Sequence, residues 1–165
     1  MEKDPPYEKA KKKALRFLAC RPRSIYEVRS KLAGEGFDAP TVSKVIERLK
    51  ELRFLDDENA ARQWARRYAV DRLWGNVKIA IRLRELGFFR ETVDEALQEA
   101  RRELNEKEAI EKIIEKRFPD LLTSHEISAK EKQRLIRHLM GKGFAPGVVF
   151  EILADSGKEE YIDYG

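Results

Sequence analysis

Any chemistry in this chain would have to come from acids, bases and aromatic rings at unusual spacing, and the sharpest polar cluster is Leu55-Asp56-Asp57-Glu58. Three adjacent acids are the residue types that hold a divalent cation. Adjacent residues on a helix do not share a face, however, and no second carboxylate motif is placed to complete a site. Acids at a helix start are accounted for by capping and by the helix dipole, so the cluster reads as a cap. His125 and His138 have no partner at metal-ligand spacing, and Cys20 is far from both in sequence. Gly34-Glu35-Gly36 ends a helix and follows no strand, so it fails as a dinucleotide loop, and no Gly-rich loop precedes a Lys-Ser or Lys-Thr pair. The expectation is a protein that is not an enzyme and that uses no metal and no cofactor.

Basic and aromatic residues offer more. Trp64 and Tyr68 are four apart on the expected inner face of one helix, which assigns them to packing, whereas Trp74, beside Gly75, is the better candidate for an exposed contact with a base. Arg62 and Arg66 lie at i and i+4 on the opposite face, Arg67 and Arg72 flank them, and Lys78 and Arg82 repeat the spacing on the next helix. Residues 59–90 carry eight Lys/Arg against Asp71 and Glu85, a net of +6 in a chain whose total is +4. Residues 11–34 carry eight against Glu27, a net of +7, and residues 151–165 carry Lys158 against five acids, a net of −4. A basic surface of this kind meets phosphates or an acidic protein groove. For each arginine taken singly, a solvated helix face is the competing reading.

The elements that would position these side chains form a repeat. Leu32 to Phe37, Leu83 to Phe88 and Leu139 to Phe144 each read Leu-x-x-x-Gly-Phe, with glycines 87 − 36 = 51 and 143 − 87 = 56 residues apart. Val42, Val93 and Val149 lie six residues past each glycine, and Val28, Ile79 and Leu135 lie eight before. One supersecondary unit used three times follows from such a match. The periodicity is helical almost throughout, which predicts an all-α chain of three three-helix units and about nine helices, elongated and possibly curved. The expected divisions are a flexible start at 1–6, units at 7–54, 55–104 and 105–155, and an acidic tail at 156–165. The five extra residues of the third repeat (56 − 51) are expected in the loop at about 119–128. With one cysteine no internal disulfide forms. Lys3, Asp4, Pro5 and Pro6 stand where a signal peptide would have its apolar core, and no apolar run is long enough to span a bilayer, which places the protein in the cytoplasm.

Three features together resemble one family. They are the tandem trihelical repeat, the Phe54-Leu55-Asp56-Asp57 signature, and the run Gly75-x-x-Lys78-Ile79-x-x-x-Leu83-x-x-x-Gly87-Phe88. They are similar to the RecX family of bacterial regulators of the RecA recombinase, over roughly residues 8–154. Ala60 stands where the family pattern usually has an aromatic residue. The resemblance implies a non-enzymatic regulator of recombination, DNA repair and the SOS response that binds the RecA–single-stranded DNA filament in its groove and usually inhibits ATPase and strand exchange. A monomer is expected, with Arg62, Arg66, Arg67, Arg72, Lys78 and Arg82 as charge-based candidates for partner or DNA contact. Leu55, Asp56, Asp57, Gly75, Ile79, Leu83, Gly87 and Phe88 are expected to be mainly structural. The alternative is a tandem helix-turn-helix-like DNA-binding protein acting without a recombinase, disfavoured by Glu91, Asp94, Glu95 and Glu99 on a would-be recognition helix.

Overall fold

Side chains that satisfy the free amides of a first turn set where the helices start. Ser24 Oγ accepts from Glu27 N at 3.0 Å while Ser24 N donates to Glu27 Oε2 at 3.1 Å, a reciprocal capping box. Asn105 with Glu108 and Ser128 with Glu131 build the same box, and Asp38 and Asp56 accept from Thr41 N and Asn59 N at 2.8 and 3.0 Å. The Leu-x-x-x-Gly-Phe repeat is the matching stop signal. Gly36, Gly87 and Gly143 have φ of +90°, +89° and +91°. Behind them Phe37 N, Phe88 N and Phe144 N donate back to the carbonyls of Leu32, Leu83 and Leu139 at 3.2–3.3 Å. This is a Schellman stop in which only the middle residue must be left-handed, hence glycine.

In the computed structural model residues 4–123 and 127–156 are described. They form ten α-helices: α1 Pro5–Cys20, α2 Ile25–Gly34, α3 Ala39–Glu51, α4 Asp57–Arg66, α5 Asn76–Glu85, α6 Arg90–Glu103, α7 Glu106–Arg117, α8 Asp120–Thr123, α9 Ala129–Gly141 and α10 Pro146–Ser156. No strand occurs among the described residues. The tenth helix beyond the expected nine is α8, a single turn nucleated when Leu121 N and Leu122 N bond the carbonyls of Phe118 and Pro119. The fourth helix does not run unbroken to Gly75. It passes at Arg67–Asp71 into a π-helical turn, and Leu73 takes φ +54°. The extra length of the third repeat is also placed differently from the loop expected. The cap-to-glycine spans are 36 − 24 = 12, 87 − 75 = 12 and 143 − 128 = 15, so three of the five extra residues lengthen α9 to 13 residues against 10 for α2 and α5.

Contacts divide the chain into two compact units, Met1–Ala65 with Arg82–Ala96, and Arg66–Ile81 with Leu97–Gly165, so α5 and α6 contribute to both. In the first, α1, α2 and α3 pack on one another around Ala10, Ala14, Val28, Leu32, Val45, Ile46 and Leu49. In the second, α7, α9 and α10 enclose Ile110, Ile113, Leu135, Leu139, Phe144 and Val149. Each fully buried Val, Leu or Ile side chain among these contributes about 1.5–3 kcal/mol.

One junction occurs once in each unit. In the first, the cap of α2 meets the stop of α5, with Ser24 Oγ donating to the Leu86 carbonyl. In the second, the cap of α5 meets the stop of α9, where Gly75 N donates to Lys142 O at 2.8 Å and Val77 N to Gly143 O at 3.1 Å. The residues correspond in register: 24 + 51 = 75 and 86 + 56 = 142. The period read from the sequence is therefore also the period of the packing. No helix among the described residues is long and apolar enough to cross a membrane. His125 and the tail at 157–165 lie outside the described residues.

Candidate interaction surface

Leu55, Ile79, Leu83 and Phe88 are buried. Asp56 caps α4 through Asn59 N, while Asp57 is half-buried and accepts from Ile25 N at 2.8 Å, tying α4 to the start of α2. Burial raises the Asp57 carboxyl above its ordinary value, against the lowering effect of that amide. Among the described residues no group of three or more His, Cys, Asp or Glu converges on a metal position. The acidic cluster is thus spent on capping and on helix-to-helix bonding.

The six basic candidates do not behave alike. Arg62, Arg66, Arg67, Arg72 and Arg82 are exposed and Lys78 is half-buried. Arg66 has its charge engaged: Nε and Nη2 donate to Glu103 Oε2 and Oε1 at 2.8 and 2.6 Å, and Asp71 is 3.7 Å away. This bidentate pair is what raises its pKa. Arg82 pairs with Glu85 at 3.0 Å, one turn along the same helix. Arg62 and Arg67 are exposed on the same stretch of chain.

Arg72 and Lys78 are brought together, around aromatic rings. Trp74 is half-buried and lies flat on Tyr68, with ring centroids 4.5 Å apart and planes at 4°. Trp74 is therefore not the free stacking platform expected: a left-handed residue at Leu73 turns its ring back onto Tyr68. The Arg72 guanidinium is 5.8 and 5.7 Å from the two ring centroids, and Lys78 Nζ is 4.3 Å from that of Trp74. The rings position cations here.

The repeated junction extends this group with residues that charge spacing did not reveal. Lys142, in the stop of α9, donates to the Arg72 carbonyl at 3.1 Å, and Lys78 Nζ reaches the Gly141 carbonyl at 3.5 Å. Burial, then the charges of Arg117 and Lys78, push the Lys142 ammonium below its ordinary pKa. His138 is lowered by burial first and then by Arg117, Lys142 and Arg134. Its Nε2 is enclosed without a hydrogen-bond partner among the described residues, and its ring meets Phe118 edge-on at 5.6 Å. Arg72, Lys78, Arg117, Arg134 and Lys142 thus form one cationic cluster in the second unit, around the Lys142 ammonium and the rings of Trp74 and Phe118. Such a surface gains when an anion arrives. The available signal for Lys142 was the repeat itself, since it sits at the stop position equivalent to Leu86.

The lowered His138 value predicts a pH effect with a definite sign. The unfolded chain binds more protons than the folded one between the depressed folded pKa and about 6.5, so stability falls as pH drops through that window. Urea denaturation at a series of pH values should show a smaller fall in His138→Gln than in the parent. Parallel curves would remove His138 from the account.

Arg101 is a second residue that charge patterning passed over. It is partly buried on α6 and donates to Trp74 O at 2.6 Å, Asn76 Oδ1 at 2.7 Å and Leu104 O at 3.2 Å. It holds Trp74 and the start of α5 in place. Asn76 N is held in turn by Glu106 Oε1 at 2.9 Å.

Comparison with known proteins agrees with this architecture. The model of the first three-helix domain of RecX matches residues 10–49, and that of the third three-helix domain matches residues 105–153. "Regulatory protein RecX" of Clostridium tetani (strain Massachusetts / E88) is 34% identical over 140 residues, covering 84% of this chain and 62% of the relative's length. That of Prosthecochloris aestuarii (strain DSM 271 / SK 413) is 32% identical over 141 residues, covering 86% of this chain and 89% of the relative. In fold, the chain superposes on the crystal structure of RecX from Lactobacillus salivarius with a TM-score of 0.78 at 22% identity, over 92% of this chain and 96% of that one. With the two domain models matching the first and third repeats and the Prosthecochloris relative matching over 86% of the chain, the chain belongs to the RecX family of regulatory proteins.

Proposed function

We propose that this chain is a non-enzymatic cytoplasmic regulator of homologous recombination and repair that acts as a monomer. It binds the RecA filament on single-stranded DNA, within the filament groove, and lowers its ATPase and strand exchange. The observation that carries the reading is the cationic cluster of Arg72, Lys78, Arg117 and Lys142, found in a chain of this family. A filament of nucleic acid and protein presents repeated negative charge, and several modest contacts to neighbouring protomers give avidity without one deep pocket. Arg62, Arg66, Arg67 and Arg82 are secondary contributors in this reading, Arg66 least because Glu103 already engages it.

The test is the single-stranded-DNA-dependent ATPase of the cognate recombinase, titrated with the protein at fixed salt. A fall at substoichiometric protein is expected. Lys78→Glu with Lys142→Glu should weaken filament binding about tenfold or more, in keeping with loss of two charge contacts, and more than a core variant of equal thermal melt does, since both lysines also bond carbonyls within the second unit. No change in ATPase would overturn the reading. Binding to duplex DNA with a steep salt dependence and no recombinase present would replace it by direct DNA binding.

A further inference from the structure

The first unit holds an open cavity of about 300 Å³ that the cationic cluster does not use and that Phe54 and Asp56 of the family signature help to line. Arg53 lines it from an uncommon backbone position. It occupies the left-handed site of the stop that ends α3, with φ +58°, Arg53 N bonded to Lys50 O at 2.9 Å and Phe54 N to Leu49 O at 2.8 Å. At the same place in the other three such stops the chain has glycine, which adopts this conformation without strain. An arginine here is unfavourable for the backbone, and residues held in such conformations cluster at functional sites.

Two more guanidinium groups line the cavity, both oriented before any ligand arrives. Arg21 Nη2 and Arg23 Nη1 bind the single oxygen Glu27 Oε1 at 2.5 and 3.3 Å. Arg23 lies 3.8 Å from the Phe17 ring centroid and Arg21 5.2 Å from that of Trp64, whose Nε1 donates to Pro22 O at 3.1 Å. Side chains already held lose little freedom on binding. The charged lining is three arginines against Asp56, and with Glu27, which engages Arg21 and Arg23, the site keeps a net of +1, carried foremost by Arg53. Phe54 stands beside them with 57% of its surface exposed, and Asn59 and Gln63 of α4 add amides that both donate and accept. Ala60, also in the lining and 5% exposed, leaves room that a larger side chain would fill.

We propose that this cavity binds a nucleotide, with its phosphate on Arg53, Arg21 and Arg23, its base against the Phe54 ring, and the base edge met by Asn59 and Gln63. Guanidinium forks match phosphate oxygens, aromatic faces stack on any base, and side-chain amides pair with base edges. The volume lies at the lower end of the range for small-molecule sites, roughly 300–1,000 Å³, which suits one nucleotide unit. An acidic peptide would satisfy the arginines but would leave the amides and the exposed ring with less to do. The site does not depend on the recombinase reading and is tested without a recombinase.

The experiment is a ¹⁵N NMR titration of the full chain with AMP, with a short oligothymidylate and with a polyglutamate peptide, following the Arg53 Nε and the Phe54, Asn59 and Gln63 signals. AMP or the oligonucleotide should move these signals together. Tighter binding of AMP identifies free nucleotide as the source, and tighter binding of the oligonucleotide identifies a nucleotide within a strand. Arg53→Gly should weaken binding tenfold or more while melting no lower than the parent, because glycine relieves the strained backbone. Ala60→Phe should abolish binding with all three arginines present. Parent-like AMP binding in both variants, stronger shifts with polyglutamate than with either nucleotide ligand, or no shift with AMP and oligonucleotide would each overturn the proposal.

Discussion

Gly75→Ala should lower the stability of the second unit by about 3 kcal/mol, near the top of the usual range for overpacking. Gly75 has an ordinary backbone conformation and is needed for space. A methyl group there would overlap the carbonyl carbon of Gly143 and the amide nitrogen of Phe144, which are backbone atoms that cannot rotate away. Relief would break the bond from Gly75 N to Lys142 O and part the α5 cap from the α9 stop. Gly36→Ala is the control. Gly36 has φ +90°, but a methyl group on it meets nothing within 4 Å, so only the conformational cost of about 1 kcal/mol applies. Gly143 combines both problems, with φ +91° and Lys78 N only 2.7 Å from the added methyl group, and its alanine variant should lose at least as much as that of Gly75. Denaturant unfolding of the three variants measures the order directly. Equal losses at positions 36 and 75 would show that the junction does not carry the stability assigned to it.

The second large effect is expected at Arg101. Hydrogen bonds from a charged donor are worth about 1.5–3 kcal/mol each, and removing the donor leaves buried acceptors unpaired. Arg101→Met keeps much of the aliphatic bulk and deletes the bonds to Trp74 O, Asn76 Oδ1 and Leu104 O. A loss of about 3 kcal/mol is expected. Burial lowers the Arg101 pKa, but a guanidinium starts so high that the group stays charged. Arg101→Lys should recover only a minor part of the loss, because one ammonium cannot reproduce the planar fork that reaches three acceptors. A methionine variant as stable as the parent would show that the three bonds merely replace bonds to water. If the chain binds the filament as proposed, Arg101, which fixes the carbonyl of Trp74, should on replacement weaken that binding more than an equally destabilised core variant does.

The amino-acid sequence by itself determined most helix starts and stops, but not the π-helical turn at Arg67–Asp71, the single turn α8 or the added length of α9. Ser24, Asp38, Asn105 and Ser128 start helices through bonds to amides three residues on, and each Leu-x-x-x-Gly-Phe block stops one through a bond five residues back. Interactions of that range are written in consecutive residues, and so were the three-fold repeat and the buried faces. The membership of the cationic cluster was decided only by tertiary structure. Arg66 and Glu103 are 37 residues apart, Lys142 and Arg72 are 70 apart, and Arg101 reaches Trp74 across 27. On a solvated helix face every lysine or arginine has the same sequence signature. Whether its charge is cancelled, folded onto a ring or left facing an arriving anion depends on which distant carboxylate, carbonyl or aromatic ring the packing of α5, α6, α7 and α9 brings within about 4 Å, where an ion pair or charge-assisted hydrogen bond forms.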